Sequence, residues 1–302
     1  MLLAFFPWGD AKDGWACGWQ NQRPVGATRA DVFIGRKDDP ETQARAEEMR
    51  QGMALAKERR ALVAMLRKHG LASPIRILGE TLDAVAQAGL FTNGAVLVGT
   101  AAYMLYEPLV GRRLPAPTLM TGDLDLATAS LALTADPPES IEAILRRVDS
   151  SFTGVPQLDP GAPPSRFRNT DGFLVDLIAP TRSREDKNPV RPPALAAGAA
   201  PLKHLAWLIA GPVQSVALWG GGVLVSVPQP ARFAVHKLIL AQRRDAANRM
   251  KRGKDLDQAK ALMAVLEEQD PYALEDALAE ARARGRDGWA VPIDRSLNEL
   301  GV

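Results

Sequence analysis

The stretch from Val96 to Ala127 constrains this chain more than any other. An apolar run, Ala95 to Val98, leads through Gly99-Thr100 into a helix-compatible segment. The stretch then closes on Asp123-Leu124-Asp125-Leu126. A strand repeats its side-chain direction every second residue, so Asp123 and Asp125 point to one face. Two like charges so close repel, and one of them resists ionising. A divalent cation held between them removes the conflict, and hard carboxylate oxygens suit Mg²⁺. The Gly-Thr step falls where a strand hands over to a helix. There a glycine lets the backbone approach a ligand, and free N–H groups and a hydroxyl can face a phosphate.

These pieces together resemble the core of the nucleotidyltransferase fold, the DNA polymerase β-like superfamily. That superfamily pairs a glycine followed by a small residue with a later Asp-x-Asp and a third carboxylate on a separate strand. The Gly99 to Asp123 separation is longer than in compact members, and a proline-rich loop from Pro108 to Pro117 accounts for it. The third carboxylate is sought in residues 165–180, SRFRNTDGFLVDLIAP. Two alternating runs flank Asp171-Gly172, a hairpin signal. Asp176 shares its face with Leu174 and Ile178, and an unpaired buried carboxylate costs roughly several kcal/mol. Its compensating partner is either a metal shared with Asp123 and Asp125 or an arginine of the paired strand, Arg166 or Arg168. The reading favours the metal, because the superfamily's third carboxylate comes from such a later strand.

Composition sets the outer limits. A chain of 302 residues with 46% hydrophobic and 24% charged residues is an ordinary globular protein able to bury a sizeable core. A net charge of +2 leaves any nucleic-acid contact to a local patch. Cys17 is the one cysteine, so neither a disulfide framework nor a cysteine zinc site forms within one chain. His69, His204 and His236 have no metal-ligand spacing. No apolar run approaches the ~18 residues of a membrane span. The N-terminal MLLAFFPW lacks a basic flank and is short for a secretion signal, which reads as a cytoplasmic protein.

Three portions are expected: residues 1–90 as an N-terminal arm and helical layer, 91–200 as the core, and 201–302 as a hairpin plus a C-terminal helical domain. The arm carries Trp8, Trp15 and Trp19 and short extended pieces such as Asp31 to Ile34. The tryptophans read as anchors of an irregular segment. Helices are expected over Glu41 to His69, with Ala44, Met49, Met53, Ala56, Leu62, Met65 and Leu66 inward, and over Thr81 to Ala88, with Thr81 as N-cap. Others are expected from Thr100 to Tyr106, from Asp136-Pro137 onward, from Pro201 to Ala210, and from Ala231 to Arg244. Two more start at Asp255, by a capping box with Gln258, and at Asp270-Pro271, ending near Gly285. Residues 180–201 read as a surface connection. Val213 to Trp219 and Val223 to Val227 form a hairpin that covers the site or extends the sheet. His204 has no chemical task.

The runs VPQPARFAVHKLILAQRR and KRGKDLDQAKAL, with GTAAYMLYE and TGDLDLA, are similar to a bacterial nucleotidyltransferase family typified by a Geobacter protein of unknown substrate. A more distant likeness is to nucleotidyltransferase toxins of abortive-infection systems, which suggests toxin–antitoxin or phage-defence roles. The resemblance implies an α/β (α+β) fold, a mixed sheet flanked by N-terminal and C-terminal helical portions. It implies Mg²⁺ bound by Asp123, Asp125 and Asp176, and in-line transfer of an NMP from an NTP with release of pyrophosphate. Asp176 would also help deprotonate the attacking hydroxyl. Gly99, Thr100, Lys237 and Lys254 would hold the nucleotide's phosphates. The acceptor is left open among RNA, protein and small molecules. A catalytically inactive nucleotide- or RNA-binding relative is the competing class. The basic cluster Arg243, Arg244, Arg249, Lys251, Arg252 and Lys254 reads either as an RNA contact or as a solvated helix end.

Overall fold

The computed structural model describes residues 2–6, 18–22, 30–33, 35, 39–115, 122–128, 139–157, 159, 161–181, 197–245 and 249–302. The chain divides into two compact units, Met1–Met65 and Leu66–Val302. Among the described residues no helix is long and apolar enough to cross a membrane.

In the first unit, β1 (Leu2–Phe6), β2 (Gly18–Gln22) and β3 (Ala30–Phe33) form an antiparallel sheet in that order. The arm is therefore more regular than its glycine-rich sequence suggests. Trp8 and Trp15 lie outside the described residues. Helix α1 (Pro40–Lys68) starts where Asp39 caps it: the carboxylate accepts from the Thr42 N–H at 3.2 Å and the Thr42 hydroxyl at 2.6 Å. The buried positions of α1 are Thr42, Ala46 and Val63, whereas Ala44, Leu62 and Met65, expected inward, are exposed. Alanine and methionine tolerate either environment, so they mark the phase of a long charged helix poorly.

The second unit is built on a mixed sheet. Its strands are β4 (Ala95–Val98), β5 (Asp123–Thr128), β6 (Thr153–Gly154), β7 (Arg166–Arg168), β8 (Leu174–Pro180) and β9 (Ala200–Leu202). They pair in the order β4-β5-β8-β7-β6, with β9 against β8. The β5–β8 and β8–β9 pairs are parallel and the rest antiparallel. Leu124, Leu126, Phe167, Val175 and Leu177 turn to the core, while Asp123, Asp125, Leu174, Asp176 and Ile178 face the other way, half-buried. The hairpin expected at Asp171-Gly172 is present. Gly172 takes φ +86°, and the Asn169 side chain accepts from the Phe173 N–H at 2.7 Å.

Before the sheet, α2 (Arg76–Gln87) begins earlier than expected, right after Pro74-Ile75. Thr81 is no cap. It is buried mid-helix and its hydroxyl donates to the Ile77 carbonyl at 2.7 Å. After β4 the chain makes only a short α3 (Gly99–Tyr103), then α4 (Glu107–Val110) inside the expected proline-rich loop. Buried Glu107 ties this turn down, accepting from the N–H groups of Ala72 at 2.8 Å and Leu114 at 3.0 Å. Helix α5 (Ile141–Val148) is capped by Ser140, whose hydroxyl accepts from the Ala143 N–H. The expected start at Asp136-Pro137 lies outside the described residues.

Two expectations past the sheet fail. Pro201 lies in β9 rather than in a helix, and α6 is one turn, Leu205–Leu208, entered through His204 at φ +66°. Strands β10 (Val213–Ala217) and β11 (Val223–Val227) make a separate two-stranded sheet that packs on α2 and β4 and contributes nothing to the cavity wall. Helices α7 (Pro230–Ala241), α8 (Arg249–Gln269) and α9 (Pro271–Ala283) follow. Asp270 caps α9 as expected, accepting from the Ala273 N–H. A π-turn at Arg286–Ala290 then leads into α10 (Val291–Leu300), which the sequence reading did not separate. Asp255 sits within α8 and caps nothing: the helix starts at Arg249.

Candidate active site

One row of residues crosses four strands. Val98 pairs with Asp125, Asp125 with Asp176, and Asp176 with Arg166. Register partners share a face, so Asp123, Asp125, Asp176 and Arg166 all stand on the side of the sheet away from the core. They line a cavity of about 380 Å³, shared with Gly99, Thr100, Lys237 and Lys254. Every residue that the sequence reading selected for the site thus borders one space. Opposite the sheet, α7 adds His236, α8 adds Lys251 and Asp255, and the connection between them adds Arg244, with apolar side chains such as Ile178, Leu202 and Phe233 also on the wall.

Gly99 is fixed by this geometry. It takes φ +69° as β4 turns into α3, and a Cβ there would lie 2.3 Å from Asp125 Oδ2. Only glycine permits both the turn and that approach. The first N–H groups of a helix have no partner within it, and Gly99 and Thr100 open α3 beside the carboxylates.

Among the described residues the Asp123 and Asp125 side chains make no hydrogen bond or ion pair. Burial pushes the Asp125 carboxyl up to about 7, and the charges of Asp123 and Asp176 push the same way, against Lys237 and Arg166. Asp176 differs. Arg166 Nε donates to its Oδ1 at 2.6 Å and Nη2 to its Oδ2 at 2.7 Å. That is the arginine pairing which the sequence left as the alternative to a metal. The Arg166 guanidinium is held above its usual range first by this bond, then by the charges of Asp176, Asp125 and Asp123.

The helical wall holds a second network. Lys237 Nζ lies 2.7 Å from Asp255 Oδ1, and Arg244 Nε lies 3.0 Å from Asp255 Oδ2. The Lys237 and Asp255 side chains are only 6% and 3% exposed, so neither charge is stable there without the other. Asp255 is the site residue that sequence reasoning missed. Its Asp-x-x-Gln pattern imitates a capping box, and the signal that could have exposed it is its position well after the Arg249 helix start. Lys254 has no ion partner among the described residues. Burial lowers its ammonium below the ordinary lysine range, and the neighbouring Lys237 charge adds to this. His236 is buried and neutral, its pKa brought down to about 3 by burial and then by Lys237.

The donor set fits a divalent cation at Asp123 and Asp125: two oxygen ligands of like charge, one of them buried at a cost and without a protein partner. It does not extend to Asp176 as it stands. Among the described residues no three carboxylate, histidine or cysteine side chains are arranged to hold a metal ion.

A mixed α/β fold of this kind, with helices flanking the sheet, is of the nucleotidyltransferase class. A family model described as Nucleotidyltransferase matches residues 76–283, and the chain belongs to that family. A solved structure, an antigenic nucleotidyltransferase-like protein from Paracoccidioides brasiliensis, is similar over 72% of this chain and 92% of its own, at 16% identity and a TM-score of 0.35. No curated protein matches the sequence.

Proposed function

We propose that this protein is a Mg²⁺-dependent enzyme that moves an NMP from an NTP to an acceptor hydroxyl and releases pyrophosphate. The observation that carries the reading is the Asp123–Asp125 pair. It lies on the open face of β5 against Gly99, its charge unpaired, across a cavity from cationic helices. When bound, Mg²⁺ supplies Lewis-acid stabilisation of phosphate oxygens.

Asp123 and Asp125 hold the cation. The N–H groups of Gly99 and Thr100 and the Thr100 hydroxyl meet the β- and γ-phosphates. Lys254, free of an acidic partner, neutralises the triphosphate as a point charge. Lys237 shares the single charge of Asp255 with Arg244, so it fixes α7 to α8 and the trio still presents a net positive charge at the cavity. The groups buried in the wall, Lys237 and Asp255 among them, interact more strongly than they would in water. These contributions are positioning and charge, which is what transfer at phosphorus requires of a protein.

The test is labelling. Incubate the protein with each α-³²P NTP, Mg²⁺ and a cell extract, beside an Asp123→Ala/Asp125→Ala variant. Label is expected on one macromolecular or small-molecule acceptor and absent with the variant. Label that survives the double change overturns the mechanism; nucleotide binding with no transfer to any acceptor would instead make the protein a binding relative.

A further inference from the structure

The third carboxylate already has a partner, and the sheet provides it. Arg166 and Asp176 are register partners of β7 and β8, so their side chains meet without any loop rearrangement. Both Asp176 oxygens accept from the guanidinium, at 2.6 and 2.7 Å, in the fork geometry that makes arginine–carboxylate pairs strong. The Asp176 side chain is 18% exposed and that of Arg166 52%, so solvent reaches the guanidinium while the carboxylate is held largely against the sheet. Asp123 and Asp125 have no such partner among the described residues. Turning Asp176 onto a metal would break two charge-assisted bonds and leave a guanidinium beside a new cation. Mg²⁺ does not need that third ligand, because one or two carboxylates with water and substrate phosphates fill its octahedron.

We propose that Arg166 sequesters Asp176, so that this site would take one divalent cation, on Asp123 and Asp125, while the fixed guanidinium supplies positive charge beside Asp176. The inference rests on the NTP-transfer reading and sharpens it. Arg166 is then a positioning residue for Asp176 and a fixed cation of the site. Two neighbouring positive charges compete for the same three carboxylates, and the two bonds from Arg166 favour the one built into the chain.

Counting metal ions decides the matter without any activity measurement. Mn²⁺ is titrated into the full chain, followed by electron paramagnetic resonance of the free ion, with the α,β-methylene analogue of each NTP in turn. One Mn²⁺ per chain is expected. Asp176→Asn keeps that count, with affinity within about threefold, whereas Asp125→Asn weakens binding about tenfold or more. Arg166→Ala frees Asp176 and brings in a second Mn²⁺. Two ions in the unaltered protein, a tenfold loss with Asp176→Asn, or a count still at one with Arg166→Ala would each overturn the proposal while leaving the NTP-transfer reading intact. An unaltered protein that binds no Mn²⁺ would overturn both.

Discussion

The Oδ2 atom of Asp125 lies 2.3 Å from the point at which Gly99 would carry a Cβ. Carboxylate and backbone turn therefore share one space. Gly99→Ala must either move the Asp125 side chain or shift the start of α3, and φ +69° adds strain of about 1–2 kcal/mol. The expected result is a loss of about 2–3 kcal/mol in urea denaturation. A drop in Mn²⁺ affinity of about tenfold or more should accompany it. Unchanged stability and metal affinity would show that the close approach is not required.

The raised Asp125 carboxyl makes stability depend on pH in a defined direction. Its pKa is about 7 in the folded chain against an ordinary value of 3.8. Between those values the native state binds a proton that the unfolded state does not. Stability therefore falls as pH rises from about 4 to about 7, and the whole penalty is present above 7. Asp125→Asn removes it. Without divalent metal, the variant should gain on the unaltered protein as pH rises, reaching roughly 2–4 kcal/mol by pH 8. Urea denaturation of both at pH 5, 6, 7 and 8 measures this. A difference that stays flat with pH would refute the assignment.

The buried Lys237–Asp255 pair predicts a sharp asymmetry between single and double changes. Asp255→Asn leaves Lys237 charged and 6% exposed, and should cost about 3–5 kcal/mol. Lys237→Met leaves Asp255 with Arg244 alone, at 3.0 Å, and should cost less. The double variant should be more stable than the sum of the singles predicts, by more than about 1 kcal/mol. Additive losses would mean that the two side chains do not depend on each other.

Much of the site was legible because its signals are local. Asp-x-Asp on a strand, a glycine at a strand end and a carboxylate inside an alternating run each follow from a short window, and the sheet register then aligns Asp125 with Asp176. What was not legible depends on partners distant in sequence. Asp255 reads as a cap until α8 is seen to begin at Arg249 and to face Lys237. Thr81 reads as a cap until Pro74-Ile75 proves to be the true helix entry. The strand at Ala200–Leu202 carries Pro201, which suits a loop, and only pairing with β8 reveals it. The choice between metal and arginine at Asp176 was open because both partners satisfy a buried carboxylate equally well on paper, and cross-strand register sets Asp176 between Asp125 on one side and Arg166 on the other.

The basic cluster gives a last prediction, since the structure sorts its members. Arg244 is tied to Asp255, Arg252 pairs with Glu299, and Arg243 donates to the Gly288 carbonyl. Lys251 and Lys254 have no acidic partner among the described residues, lie three apart on α8 and both line the cavity. A cation free of protein partners gives its full charge to a ligand, whereas one already neutralised gives little. Lys254→Met should therefore weaken binding of a non-hydrolysable NTP analogue by about tenfold, near 1.4 kcal/mol, and flatten its salt dependence. Arg252→Ala, by contrast, removes a part-exposed pair worth about 1 kcal/mol or less in stability and should leave NTP affinity unchanged. Calorimetric titration at two salt concentrations separates the two outcomes. Equal losses from both variants would mean that general basic charge, rather than the unpaired lysine facing Asp123, attracts the nucleotide.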